Sequence, residues 1–143
     1  MLTTRNKVVA HFNDGRLLKG YTHDFIADKA SFHLNQGSEP GHGAIHDIKV
    51  SDLKALFFVK TSEGNREHKE KKKFEEVDSK TLHGIKIKVI FKDGEVLRGL
   101  SLGYNKAKQG FFIVPIDPQS NNDRIYIVAS STAQVILGAE AEK

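Results

Sequence analysis

The strongest constraint on this chain is a short stretch that it carries twice. Phe12-Asn13-Asp14-Gly15-Arg16-Leu17-Leu18-Lys19-Gly20 returns 79 positions later as Phe91-Lys92-Asp93-Gly94-Glu95-Val96-Leu97-Arg98-Gly99. In each copy an alternating apolar run enters Asp-Gly, and a second run leaves it through a cation and another glycine. Alternation marks a half-buried strand, with Val8, Ala10 and Phe12 on one face and Ile87, Val89 and Phe91 in the same places later. Asp-Gly supplies the positive φ of a tight hairpin. Gly20 and Gly99 have no Cβ, which suits a sharp bend or a close approach of backbones. Lys19 and Arg98 stand on a strand. A phosphate-binding loop would instead place its cation at the opening of a helix.

The rest of each half falls into register around its hairpin. The return strand of the first, Arg16 to Phe25, carries Leu18, Gly20 and Phe25, and Ser31-Phe32-His33-Leu34 reads as a third strand. Residues 35–43 are rich in glycine with one proline and read as a loop. Ile45 to Val50 is a fourth strand, and Ser51-Asp52-Leu53 opens a single helical turn. In the fifth strand, Lys54 to Val59, consecutive apolar residues call for cover on both faces. Residues 63–82 are dense in mixed charge without an apolar period, the composition of a solvated linker.

The second half replays this order. Leu97 stands for Leu18, Tyr104 for Phe25, and Phe111 and Ile113 for Phe32 and Leu34. After a one-residue slip in the following loop, Val128 stands for Val50 and Ala133 for Ala55. Val135, Ile136 and Leu137 then stand for Phe57, Phe58 and Val59. The reading is an internal duplication, with one module over 1–62, a linker over 63–82 and a second module over 83–143. Phe111 to Ile116 is more continuously apolar than its counterpart, so its outward residues need cover from the other module or from a second chain.

An apolar residue, Asp-Gly, and a second glycine inside a strand-turn-strand resemble the first motif of the Sm and Sm-like small barrels. That resemblance spans roughly residues 6–61 and 85–138. It implies an all-β fold of two tandem small five-stranded Sm-like/SH3-like barrels. The RNA-binding pairs of Sm proteins have no full counterpart here: the regions concerned read Phe25 to Ser31, Tyr104 to Gly110, Lys60 to Gly64 and Leu137 to Glu140. The chain as a whole also resembles a bacterial family of uncharacterised proteins, on Leu53 to Lys60 together with Gly110 to Asn122. That likeness implies no activity.

Composition narrows the functional classes. The formal charge is +4, from 22 basic and 18 acidic residues. The excess is even: residues 1–62 and 83–143 each carry 8 basic and 6 acidic residues. Nucleic-acid binders concentrate such charge on one face. There is no cysteine, which excludes disulfides, thiolate zinc sites and cysteine nucleophiles. Met1 to Arg5 leads into a strand without a secretory apolar run, and no apolar stretch approaches the ~20 residues of a membrane span. A cytoplasmic protein without cofactors is expected.

Candidate chemistry is sparse. His42 and His46, with His33 and Asp47 nearby, form the one cluster with ligand-type residues, but their glycine-rich loop suits turns better than a metal, and none is expected. Ser130-Ser131-Thr132 has no nucleophile-elbow glycines, and no triad can be assembled, so an enzyme is not expected. Asn121, Asn122 and Arg124 close the polar run after Asp117-Pro118. They offer amide and guanidinium donors to a small anionic or nucleotide ligand, although turn chemistry accounts for the run as well.

The leading expectation is a protein-interaction or scaffold module. Its protein partner, or a second copy in a homodimer, would meet a strand edge or a surface built on Phe57, Phe112 and Val114. The alternative is single-stranded RNA stacked on Tyr21, Phe25 or Tyr104 near Lys29, Lys106 and Lys108.

Overall fold

Both Asp-Gly turns close in the same way. In the computed structural model, which describes residues 6–37, 43–60, 74, 84–117 and 120–143, the N–H of Gly15 donates to the Phe12 carbonyl at 3.1 Å. The N–H of Phe12 donates to the Arg16 carbonyl at 2.9 Å. This is a three-residue hairpin loop whose last residue needs positive φ, and Gly15 has φ +93°. Asp14 Oδ1 caps the exit by accepting the Arg16 N–H at 3.0 Å. In the second half Gly94, at φ +95°, donates to Phe91, Phe91 to Glu95, and the Glu95 N–H to Asp93.

The strands are β1 (Asn6–Phe12), β2 (Leu17–Thr22), β3 (Ser31–Asn35), β4 (Ile45–Lys49), β5 (Leu53–Val59), β6 (Ile85–Phe91), β7 (Val96–Ser101), β8 (Gly110–Pro115), β9 (Asn122–Val128) and β10 (Thr132–Leu137). A 3-10 turn at Val50–Asp52 precedes β5, and another at Ala129–Ser131 precedes β10. All ten strands form one antiparallel sheet in the order β10-β6-β7-β8-β9-β5-β1-β2-β3-β4. The sheet is open: among the described residues β10 and β4 pair on one side only. Each half contributes the same internal order, its fifth strand beside its first and its fourth at the far end.

The register of the second half corrects one sequence expectation. The proposed slip does not occur. Leu53 pairs with Phe12 and Thr132 with Phe91, and Phe57 pairs with Val9 as Ile136 does with Lys88. Ser31 faces Lys49 and Gly110 faces Val128. The N–H of Val50 donates to Ala30, and that of Ala129 to Gln109. The 79-residue spacing therefore holds through every described strand. Ala129 stands for Val50, Gln134 for Ala55, and Ile136 and Leu137 for Phe57 and Phe58.

Gly20 and Gly99 permit the close approach of backbones that the sequence suggested. A Cβ on Gly20 would lie 2.5 Å from the Asn35 carbonyl oxygen, and one on Gly99 would collide with the Val114 carbonyl oxygen. Only a hydrogen side chain lets the third strand of each half cross so closely.

Two cores lie on opposite faces of the sheet. The first gathers Val8, Ala10, Phe32, Leu34, Ile48, Leu56 and Phe58, and it also takes Tyr126 and Val128 from β9. The second gathers Ile87, Val89, Phe91, Phe111, Ile113, Ile125 and Ile127, and it takes Ala55 from β5. Side chains alternate between faces along a strand, so β5 and β9 serve both cores at once. This is the two-sided cover that the apolar run in β5 called for. Phe112 packs against the first core, and Val114 against a small cluster of Phe74, Leu100, Ile116 and Ala141. Apart from Phe74, residues 63–82 lie outside the described residues, as do His42, Pro118 and Gln119.

Candidate functional site

The chain has two kinds of surface that could meet another molecule: the joint between its halves, and the two ends of its sheet. At the joint, β5 pairs with β9 through Ala55 and Ile127, Leu56 and Tyr126, Phe57 and Ile125, and Phe58 and Arg124. Tyr126 reaches across the first core and donates its hydroxyl to the Ala27 carbonyl at 3.0 Å. Gln109 Nε2 donates to the Ala27 and Lys29 carbonyls, each at 2.7 Å. Burial raises the Tyr126 pKa, so the hydroxyl stays a donor. Gly110 leaves room for the phenol, since a Cβ there would strike its ring.

On the opposite face Phe57 stacks on His11 with ring centroids 4.1 Å apart. Lys54 beside them ion-pairs with Asp93 at 2.7 Å and with Glu95, and its Nζ sits 4.7 Å from the Phe91 ring centroid. Burial works against the Lys54 charge, but the two carboxylates outweigh it and raise its pKa. Burial lowers the His11 pKa; Lys54 adds to that effect and Glu95 opposes it. A cleft of about 260 Å³ opens here between His11, Phe57, Glu95, Arg98, Pro115 and Asn122. Arg98 reaches the Lys143 carbonyl at 3.4 Å through Nη2, while its Nε is buried without a hydrogen-bond partner.

The residues named as ligand donors do not converge. The Arg124 guanidinium lies over Phe58 at 4.2 Å and Phe112 at 5.4 Å, a cation–π seat on the first-core face. Asn122 faces the cleft on the other side, because a bulge between Phe58 and Val59 shifts the pairing. The Asn121 carbonyl accepts the Lys60 N–H at 2.8 Å. The residues named as an interface, Phe57, Phe112 and Val114, all find cover within the chain.

Of the aromatics offered to RNA, Phe25 packs edge-on against Phe32, Phe58, Phe112 and Tyr126, and Tyr104 packs against Phe111. Lys108 lies 3.6 Å from Asp28. His33 is exposed and held at 2.6 Å by Asp24; His46 bonds to Gln36 at 2.8 Å. Among the described residues no three metal-ligating side chains gather, and no helix is long and apolar enough to cross a membrane.

Sequence reasoning missed Tyr126 and the joint of β5 with β9. One signal was available: Gly110 and Tyr126 both appear where the first half has Ser31 and Asp47. At the sheet ends, among the described residues, strands that pair on one side only carry exposed apolar side chains. Ile45 on β4 is 60% exposed and Leu137 on β10 is 42% exposed. Edge strands are commonly blunted with charge or proline. Thr132-Ala133-Gln134-Val135-Ile136-Leu137 has neither.

No curated protein and no solved structure matches this chain. A family model does, over residues 4–138. The chain belongs to that family, described as a family of unknown function, DUF6982.

Proposed function

We propose that the chain is a non-enzymatic protein-interaction or scaffold module that works in the cytoplasm and binds through its free strand edges. In this reading its halves are two small barrels of the Sm-like or SH3-like kind that arose by internal duplication, and residues 63–82 join them. The unbroken 79-residue recurrence of register supports the duplication. One observation carries the functional reading: among the described residues the ten-stranded sheet ends in two strands that pair on one side only, with Ile45 and Leu137 exposed on them. An unpaired edge offers main-chain hydrogen bonds to an added strand, and alternate side chains give that contact its selectivity.

The test is affinity purification followed by native mass spectrometry. A stoichiometric protein partner should be lost on Ile45→Lys or Leu137→Lys, with circular dichroism unchanged. Retention of every partner in both variants, or no stoichiometric protein at all, overturns the reading.

A second reading, a receptor for a small anionic ligand, is favoured by the buried, unpartnered Arg98 Nε in the wall of the cleft that Asn122 also lines. Thermal shift with inorganic phosphate and pyrophosphate tests it, and an Arg98→Gln variant should lose any shift.

A further inference from the structure

We propose that the two free edges belong to each other in separate copies: β10 of one chain adds to β4 of the next, head to tail, in the register that β5 and β9 use inside the chain. This rests on the strand-edge reading and names the partner.

The internal joint is the template. It pairs the fifth strand of one half with the fourth strand of the other. Such a contact is heterologous, with two different surfaces meeting. One edge of each kind is used, so one of each kind is left over: the fourth strand of the first half and the fifth strand of the second.

The 79-residue spacing gives the register of the new contact. Phe58 facing Arg124 and Phe57 facing Ile125 become Leu137 facing Ile45 and Ile136 facing His46. Ala55 facing Ile127 becomes Gln134 facing Ile48. The large exposed apolar side chains of the two edges, Leu137 and Ile45, thus become direct cross-strand partners. β10 carries no charge, so Asp47 and Lys49 on β4 meet no like charge.

The seat is also present. Inside the chain, Phe57 packs on the second core beside Ile125 and Leu97, and with His11 and Glu95 it lines the cleft there. The counterparts of Glu95, Leu97 and Ile125, namely Arg16, Leu18 and His46, line a cleft of about 460 Å³ on the first half. Among the described residues no strand fills it. The counterparts of Phe57 and His11 are Ile136 and Ile90, and a neighbouring copy would bring both.

The contact between chains is weaker than its template. Asp47 stands where the joint has Tyr126, His33 where it has Phe112, and Ala133 where it has Lys54. Assembly is therefore reversible and depends on concentration. A heterologous contact builds a ring if its rotation closes and a filament if it does not.

Sedimentation of the full chain over a range of concentrations tests this. Wild type should shift to species larger than a monomer. Ile45→Lys and Leu137→Lys, both at exposed positions, should each sediment as monomers with unchanged melting. Mixed together they should give a one-to-one heterodimer and nothing larger, because each supplies the edge that the other lacks. The chain has no cysteine, so a chain carrying Ile45→Cys and Leu137→Cys should form a disulfide ladder between copies under mild oxidation.

A wild type that stays monomeric at its solubility limit overturns the proposal. So does a mixture without heterodimer, or a single variant that still dimerises. If edge variants lose a different protein while wild type stays monomeric, the inference fails and the interaction reading stands.

Discussion

Placed 79 residues apart, the two halves share the main-chain hydrogen bonds of their hairpins and 3-10 turns and the close approach at their glycine crossings. They part company along one line. Where the first half has Ser31, His33 and Asp47, the second has Gly110, Phe112 and Tyr126, and all three of the latter lie at the joint. Lys54 reaches across that joint, and Ala133 stands in its place at the open end. Residues common to both halves make the fold. Residues that differ decide what each half lies against, and the exposed Asp24–His33 pair of the first half occupies ground that the second half gives to Gly103 and Phe112.

The comparison breaks most visibly at Tyr126. Truncation to Ala should cost about 4 kcal/mol in urea unfolding, the scale for a large buried aromatic. Asp47→Ala at the matching exposed position should stay within about 0.5 kcal/mol. Equal losses at the two positions would mean that the joint is not built on Tyr126.

Gly20→Ala and Gly99→Ala come next. Each should cost about 3 kcal/mol, because a Cβ meets a backbone carbonyl that cannot move aside cheaply. The two losses should agree closely, and a large difference would show that the crossings are not equivalent.

Lys54→Met should cost about 1 kcal/mol, a loss that shrinks in high salt, since both carboxylate partners are half exposed. Ala133→Lys at the open end should cost nothing measurable.

The smallest effect is in pH, and it has opposite signs for two histidines. The Asp24 side chain raises the His33 pKa above 6.5, so its contribution is whole below 6.5 and fades as pH rises through the folded value. Burial would raise the Asp24 pKa, but bonds from His33 and Thr22 hold it below 3.8. The pair therefore persists until pH falls through that lowered value. Burial lowers the His11 pKa below 6.5, so stability falls as pH drops from 6.5 towards the folded value. His11→Gln should flatten the decline on the acid side, and His33→Gln should remove the gain below 6.5. Unfolding midpoints measured against pH separate the two.

Much of this fold was legible because hairpins leave local marks. Asp-Gly turns, alternating runs and the close approach at Gly20 all leave signs in neighbouring residues. The two-sided cover of β5 was legible from its unbroken apolar run. The register of β10 was not. An edge strand is free of the demand for cover on both faces, so the polar Gln134 stands where Ala55 does, and the alanine before it, Ala133, stands where Lys54 does. Matching by apolar identity slid the strand by one residue. His11 was placed outward by alternation, which holds for the first core. Phe57 of its own half stacks on it and residues of the other half wall the cleft beside it, and no local pattern encodes either contact. The ligand reading took Asn122 and Arg124 from one polar run, and the register shift beside Val59 sends the two to opposite faces.

Because β5 and β9 each line both cores, neither half can finish folding before the other exists. On the ribosome the first half emerges with Phe57 and Phe58 ready on β5, yet the strand that covers them is synthesised some sixty residues later. Until then the nascent chain displays a sticky, incomplete edge, the kind of intermediate that chaperones hold and that strays into aggregates. The residues between the halves thus set a waiting time as well as a distance.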